Sequence, residues 1–336
     1  MQLVIIAGGL GTRLRPLTYE RPKALVPLLN RPQILHLFDR LPPAIDEVLV
    51  AVNYRFEQVQ AFFGAADLGR DVRVVHEAAP LGTGGALRNV ASRIHGTFAA
   101  FNGDVVDSLD VGELLRFHAD RRRRATITVA PVEDPSAFGV VAVDGDRAVR
   151  FVEKPPRGDA PSNLVNSGRY VFEPEVLDMI EAGREVSLER EVFPRLVQDG
   201  LSVFRYEGVW SDAGTRESYL HAQALLLGAW GGGIAEDAEV ERAAIRKPVL
   251  VAPGAFVEGT LGPRVVLGRG CRVGRARVED AALFAGVNVD DKAEVSGSIV
   301  GDRASIGEGA VVRDSIVGDG VQVAPHAEVV KASVAA

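Results

Sequence analysis

The sequence predicts an α/β domain with a mostly parallel central sheet, followed by a parallel β-helix. Three observations carry this. Over residues 1 to about 220, short apolar runs alternate with longer amphipathic segments, as when strands and helices wind about a sheet. The first apolar run opens directly into a glycine-rich turn, and ligands of such sheets bind at the carboxyl ends of strands. Beyond Val249 aliphatic residues recur every five or six positions, the mark of a coil built from short strands. The expected divisions are 1–228 for the α/β domain, 229–248 for a linker and 249–336 for the solenoid.

Taken in order, the apolar runs that read as strands are residues 3–6, 48–52, 72–75, 98–101, 126–132, 139–143, 149–152, 170–172 and 203–206. Helical periodicity falls at 33–41, 56–63 and 111–119, and again at 216–227, where a last helix closes the domain. Trp230-Gly231-Gly232-Gly233 reads as a flexible junction. In the solenoid, Val289, Val295, Val300, Ile306, Val312, Val317, Val323 and Val329 are spaced by six, five, six, six, five, six and six. Val251, Val257, Leu267 and Val273 mark earlier turns, and the fives imply one shortened side or loops at corners. A terminal coil exposes its edge unless capped, so self-association through this domain is expected.

The formal charge of −7 argues against a nucleic-acid partner. Arg121-Arg122-Arg123-Arg124 is the exception and reads as the solvated basic end of a helix. A single cysteine, Cys271, excludes an internal disulfide and a cysteine-based metal site. No basic leader precedes the first strand and no apolar stretch spans a bilayer, so the expectation is a cytoplasmic protein with no membrane partner.

The site begins at Ala7-Gly8-Gly9-Leu10-Gly11-Thr12-Arg13-Leu14-Arg15-Pro16-Leu17-Thr18, followed by Arg21-Pro22-Lys23. Glycines let the backbone turn and approach a ligand, and successive N–H groups line an anion-binding hollow. Arg13, Arg15 and Lys23 add fixed positive charge, which together suits a polyphosphate. A Walker loop is excluded, because no Gly-Lys is followed by Ser or Thr. A dinucleotide fingerprint is excluded too, since Leu14 stands where its third glycine belongs.

This string resembles the signature of sugar-1-phosphate nucleotidylyltransferases, and the resemblance runs through the catalytic domain and, in kind, the repeat domain. The wider chain also resembles mannose-1-phosphate guanylyltransferases in Val132-Glu133-Asp134-Pro135-Ser136, in Pro80-Leu81-Gly82-Thr83 and in Ser187-Leu188-Glu189-Arg190-Glu191-Val192-Phe193-Pro194. Ala24 departs from a second proline common after the lysine, which touches loop stiffness more than chemistry. The resemblance implies a Rossmann-like nucleotidyltransferase domain and a left-handed β-helix of hexapeptide repeats. It implies nucleotide contacts at Ala7, Gly8, Gly9, Gly11, Thr12, Arg13, Lys23, Glu77, Pro80, Gly82, Thr83, Asn102, Gly103 and Asp104. It implies sugar-phosphate contacts at Gly139, Glu153, Lys154, Asn166 and Asp212, and Mg²⁺ held by Asp104 and Asp212. On residue chemistry alone Asp104 also suits a turn, Asp212 a helix cap, and Glu153–Lys154 a surface ion pair.

The implied reaction is attack of a sugar-1-phosphate oxygen on the α-phosphorus of a nucleoside triphosphate, expelling pyrophosphate. Arg13, Lys23, Asp104, Lys154 and Asp212 form the catalytic set. The resemblance places a base contact at Glu77, where uridylyl and thymidylyl enzymes carry glutamine. An ionised carboxylate is acceptor-only and suits the adjacent N1–H and N2–H of guanine, whereas uracil and thymine present two carbonyls around one N–H. That favours GTP, unless Glu77 points to solvent. Glucose-1-phosphate with dTTP or UTP is the alternative pair. A nucleotide-sugar-binding regulatory subunit, or acyl transfer by the solenoid with His326 as base, are readings of other classes.

Overall fold

A computed structural model describes residues 1–335 and divides the chain into two compact units. The first comprises Met1–Gly9 with His36–Trp210, and the second Leu10–Leu35 with Ser211–Ala336.

The first unit is built on a nine-stranded sheet. Its strands are β1 (Gln2–Ile6), β2 (Glu47–Val52), β3 (Asp71–His76), β4 (Phe98–Asn102), β5 (Ala125–Pro131), β6 (Gly139–Asp144), β7 (Arg147–Glu153), β8 (Leu164–Phe172) and β9 (Ser202–Arg205). Their spatial order is β3-β2-β1-β4-β8-β5-β9-β7-β6. The expected parallel arrangement holds from β3 through β4 and again between β5 and β9. Antiparallel pairing enters with β8, which runs against both β4 and β5, and with the β6–β7 hairpin. β1, β2 and β4 are nearly continuous apolar runs with both faces covered, so their residues are buried without alternation. Against this sheet lie α1 (Phe56–Ala65), α2 (Gly82–Asn89), α3 (Val111–Arg121) and α4 (Phe193–Asp199).

Two helical readings change. The pattern at 33–41 yields one α-turn, Leu35–Phe38, because the chain then tightens into i→i+3 bonds from Arg40 and Leu41 before Pro42 and Pro43. Residues 82–89 form a helix despite three glycines. Those glycines let α2 press on the segment before α4: a Cβ on Gly82 would lie 2.6 Å from the Val186 carbonyl oxygen, and one on Gly85 2.9 Å from that of Arg184. The basic run behaves as a helix end, with Arg122 at φ 50 as C-cap and Arg123 paired with Asp146.

The second unit is a solenoid of three parallel sheets, of seven, six and five strands among the described residues. Equivalent residues of successive coils stand 16 or 17 positions apart, 16 as in Val249 and Val265, 17 as in Ser298 and Ser315. Val289, Val295, Val300, Ile306, Val312, Val317 and Val323 all point inward and are buried, while Val329 in the last coil is partly so. Cys271 is among them; burial raises its thiol pKa to about 11, so it packs rather than reacts. The solenoid starts before Val249: Gly233–Ile234 pairs with Val249–Val251, and Ala244–Ile245 with Thr260–Leu261. The helix α5 (Arg216–Trp230) belongs to this unit, capped by Thr215 and Ser218 and tied to the coils where Gln223 Nε2 donates to Ala281 O at 3.0 Å. Among the described residues no helix is long and apolar enough to cross a membrane.

Candidate active site

The residues singled out from the sequence fall in both units. In the sheet unit they sit at the ends of β1, β3, β4 and β7 and the segments that follow, at the start of β6 and of α2, and on β8. β1 ends at Ile6, whose carbonyl accepts from Gly103 N at 2.9 Å, while Ala7 N donates to Ala51 O at 2.9 Å. The turn after β1 is thereby held between the ends of β2 and β4. Gly8 passes against Glu77: a Cβ there would come 3.0 Å from Glu77 Oε2.

Glu77 is the most unusual group in this unit. It is only 2% exposed, and its Oε1 has no hydrogen-bond partner. The alternative that it faces solvent is therefore ruled out. Burial raises its carboxyl pKa to about 7, against a smaller opposing hydrogen bond from the backbone at Leu81. Its backbone is fixed, since Glu77 N donates to Val52 O at 2.8 Å and Asn53 Nδ2 donates to Glu77 O at 2.7 Å. A buried carboxyl with an unused oxygen has room to take a further hydrogen bond.

Further along, Pro80 is exposed ahead of α2. The Thr83 hydroxyl donates to Glu189 at 2.8 Å and accepts from Leu188 N at 2.9 Å, so its side chain is committed to the chain itself. Glu189 also takes the Ser187 hydroxyl at 2.7 Å.

Asp104 lies in the tight turn that leaves β4 after Asn102 and Gly103. Its holder is Arg169 on β8, which sequence reasoning did not single out. Arg169 is 2% exposed; Nη1 donates to Asn102 O at 2.7 Å and Nη2 to Val105 O at 2.9 Å. One guanidinium thus grips both ends of the turn. Its Nε lies 2.7 Å from Asp107 Oδ2, an ion pair not aligned as a hydrogen bond, and Phe101 lies beneath at 5.0 Å. The available signal was a lone arginine inside Ser167-Gly168-Arg169-Tyr170-Val171-Phe172: a charge in a buried strand needs a partner.

Four of the residues expected to contact the sugar phosphate, Gly139, Glu153, Lys154 and Asn166, lie on or beside the β6–β7 hairpin and β8. Glu153 pairs in register with Gly139, and a Cβ on Gly139 would come 2.9 Å from Glu153 Oε2 and 2.6 Å from Phe151. Glycine is what leaves that carboxylate room. Burial and then the charge of Glu189 raise the Glu153 pKa, while Lys154 partly offsets them. Lys154 leaves the strand at φ 47 with an exposed side chain, its Nζ 3.6 Å from Glu153 Oε1. Asn166 opens a β-bulge; its Nδ2 donates to Tyr170 OH at 2.9 Å and its Oδ1 accepts from Gly168 N at 3.0 Å.

In the second unit, Gly11 adopts φ 62 and a Cβ there would come 2.9 Å from Thr18 and 3.1 Å from Lys23. Only glycine closes that turn. A 3₁₀ turn, Thr12–Leu14, follows and leaves Thr12 and Arg13 exposed above buried Leu14. Arg13 and Asp212 converge on Gly214: a Cβ there would lie 2.8 Å from Arg13 Nη2 and 3.2 Å from Asp212 Oδ2. Ser218 Oγ accepts from Gly214 N at 3.0 Å, which fixes the segment after Asp212 to the start of α5. His326 is exposed at a corner of the last coil with φ 60.

Two family profiles cover most of the chain, with bounds that differ from those of the two compact units. A family profile described as Nucleotidyl transferase matches residues 2–228, and one described as GMPPB C-terminal domain matches 241–336. The mannose-1-phosphate guanylyltransferase of Mycobacterium tuberculosis is 39% identical over 295 residues, covering 85% of this chain and 80% of that protein. The catalytic subunit beta of Drosophila pseudoobscura mannose-1-phosphate guanylyltransferase is 35% identical over 80% of this chain and 71% of its own. Among solved structures, HddC from Yersinia pseudotuberculosis complexed with GMP-PN superposes with a TM-score of 0.56 at 25% identity, over 66% of this chain and 97% of that one. A putative glucose-1-phosphate thymidylyltransferase from Bacillus anthracis shares the fold, with a TM-score of 0.63 at 23% identity over 70% of this chain and 98% of its own. The chain belongs to the nucleotidyl transferase family, in the group formed by the mannose-1-phosphate guanylyltransferases.

Proposed function

We propose that this protein transfers a guanylyl group from GTP to mannose-1-phosphate, giving GDP-mannose and pyrophosphate. The observation that carries the base assignment is the buried Glu77 carboxylate with its unpartnered Oε1. Ionised, it accepts from guanine N1–H and N2–H together; against uracil or thymine it could take only the single N–H, flanked by two carbonyls, and would stay poorly paired, which is costly for a buried charge. The mannose-1-phosphate assignment is supported by the similarity to guanylyltransferases of that sugar.

In the reaction a phosphate oxygen of mannose-1-phosphate forms a bond to the α-phosphorus, and the bond from that phosphorus to the bridging oxygen of the β-phosphate breaks. The sugar phosphate is already an anion, so no residue need act as nucleophile; alignment and charge neutralisation supply the rate. In this reading the turns at Gly8, Gly9, Gly11 and Thr12 approach the triphosphate, Lys23 contacts it, and Arg13 stabilises the departing pyrophosphate. Lys154 meets the incoming phosphate, while Glu153 accepts from sugar hydroxyls beside Asn166 and Gly139.

Nucleotidyltransferases of this family generally use Mg²⁺. Among the described residues no three His, Cys, Asp or Glu groups cluster as a metal site. Two carboxylates completed by substrate phosphates is the pattern Mg²⁺ commonly takes, and Asp104 and Asp212 are hard oxygen donors suited to it. Bound there, the ion would neutralise charge on the reacting phosphates. Self-association through the solenoid belongs to the same proposal and is read by analytical ultracentrifugation.

The direct test is pyrophosphate release with Mg²⁺ across GTP, UTP, dTTP, ATP and CTP against mannose-, glucose- and N-acetylglucosamine-1-phosphate. GTP with mannose-1-phosphate should dominate; a dominant UTP or dTTP signal overturns the base assignment, and silence throughout favours a regulatory protein. Glu77→Gln should narrow the preference for GTP over UTP by about 1–3 kcal/mol, the worth of a paired base contact.

The pH dependence has a definite sign. Only ionised Glu77 accepts both guanine donors, and with a pKa of about 7 it is mostly protonated at pH 6. The KM for GTP should therefore fall about tenfold from pH 6 to pH 8, as the competent fraction rises. The profile should flatten in Glu77→Gln. The stability of the free protein runs the other way: with its folded pKa raised, this group favours folding below the unfolded value near 4.5 and loses that contribution as pH rises through 7.

A further inference from the structure

The segment that carries Arg13 and Lys23 packs with the solenoid as one unit. Its strongest tie is Arg21. One nitrogen, Nη2, lies 2.6 Å from Asp302 Oδ2 and 2.5 Å from Asp319 Oδ2, and the guanidinium rests 5.6 Å above the Phe284 ring. Asp302 and Asp319 occupy equivalent corners of successive coils, 17 residues apart.

The two carboxylates are fixed independently of the arginine. Asp302 Oδ1 accepts from Ala285 N at 3.0 Å, and Asp319 Oδ1 accepts from Asp302 N at 2.8 Å. Each is pinned to the coil before it, which leaves both Oδ2 atoms presented as a fork. Two like charges this close need a cation between them. Burial opposes the charge on Arg21, but the two carboxylates outweigh it and its pKa is raised.

The tie reaches the phosphate-facing side chains through a short, stiff path. Pro22 is buried with φ −67, and Lys23 follows at once as the first residue of a 3₁₀ turn. The Lys23 stem packs beside Gly11, one residue before the turn that presents Arg13. A second strut stands further on, where Asn30 Nδ2 donates to Leu267 O at 2.8 Å.

We propose that Arg21, Asp302 and Asp319 form a clamp through which the solenoid positions Lys23 and Arg13, making the repeat domain a working part of the nucleotide site. Arg21 is a positioning residue: it acts through its neighbours and touches no substrate. The inference rests on the reading of Lys23 and Arg13 as phosphate-binding groups.

The test uses the full-length protein, with kcat and both KM values for GTP and mannose-1-phosphate, plus hydrogen exchange across residues 12–26. Arg21→Ala should lower kcat/KM for GTP about 10- to 100-fold, the cost of a small misplacement of aligned groups. The KM for mannose-1-phosphate should stay within about twofold of the unmodified protein, and exchange in 12–26 should accelerate. Arg21→Lys should recover only part, since an ammonium does not reproduce the planar guanidinium stacked on Phe284. The double variant Asp302→Asn with Asp319→Asn should reproduce the defect from the solenoid side. Unchanged kcat/KM for GTP in Arg21→Ala, beside an inactive Lys23→Ala, overturns the clamp and leaves the phosphate reading standing. Full activity of Lys23→Ala overturns the phosphate reading and the catalytic role of the clamp with it. Equal changes in both KM values with unchanged exchange in 12–26 also overturn it.

Discussion

Asp104→Ala should lose about 100- to 1,000-fold in kcat with Mg²⁺ present, the loss typical of removing one preorganised charge-stabilising group. The argument is one of placement. Gly103 leaves little room for a side chain, as a Cβ there would meet Ile5, the Ile6 carbonyl and Ala7 at 3.1–3.3 Å. The turn is therefore locked against the end of β1, and Asp104 projects from a rigid base. Asp104→Asn keeps the shape but removes the charge, so it should fall in the same range, while folding is preserved in both. Near-full turnover in either variant would remove Asp104 from the metal assignment. Measuring kcat across a Mg²⁺ titration separates weaker ion binding, which added Mg²⁺ repairs, from loss of the chemical step, which it does not.

Arg169→Met should destabilise the first unit by about 3–5 kcal/mol, because it strands a buried carboxylate, Asp107, without its cation. The carbonyls of Asn102 and Val105 lose their donors at the same stroke. A fall in melting temperature on the order of 10 °C is the expected reading. Pairing the change with Asp107→Leu should restore much of that stability, since a fully apolar replacement leaves no orphan charge. Activity should not return with it: the turn carrying Asp104 would still lack its grip at both ends. Restored turnover in the double variant would show that Arg169 serves folding alone.

The difference between Asp104 and Arg169 also shows where sequence reasoning reaches. Asp104 could be singled out as a candidate because it follows an apolar run and belongs to a string with a recognisable resemblance. Arg169 was hidden because its role depends on strands β4 and β8 becoming neighbours, which one-dimensional periodicity does not contain. Solenoid positions such as Val300, Ile306 and Val312 were legible because each coil repeats the same inward demand. The first coil was not, since Gly233–Ile234 and Ala244–Ile245 carry too few aliphatics to set a period. Helix α2 was missed for a related reason: Gly82, Gly84 and Gly85 are poor helix formers, and close packing on Val186 overrides that preference. Glu77 could be singled out from the sequence as a candidate base contact, but its burial and its unused oxygen needed three dimensions.

The coil, 17 residues long between Asp302 and Asp319, also acts as a ruler. Strands stacked along the solenoid stand about 4.8 Å apart, so changes in chain length are absorbed only in whole coils. A complete coil added after Asp319 lengthens the stack and disturbs nothing before it. The same coil inserted between Asp302 and Asp319 keeps every aliphatic residue facing inward, yet moves one carboxylate a full step beyond the reach of a single guanidinium nitrogen. Length variation among solenoids that use such a fork should therefore be quantised, and confined to the coils outside it.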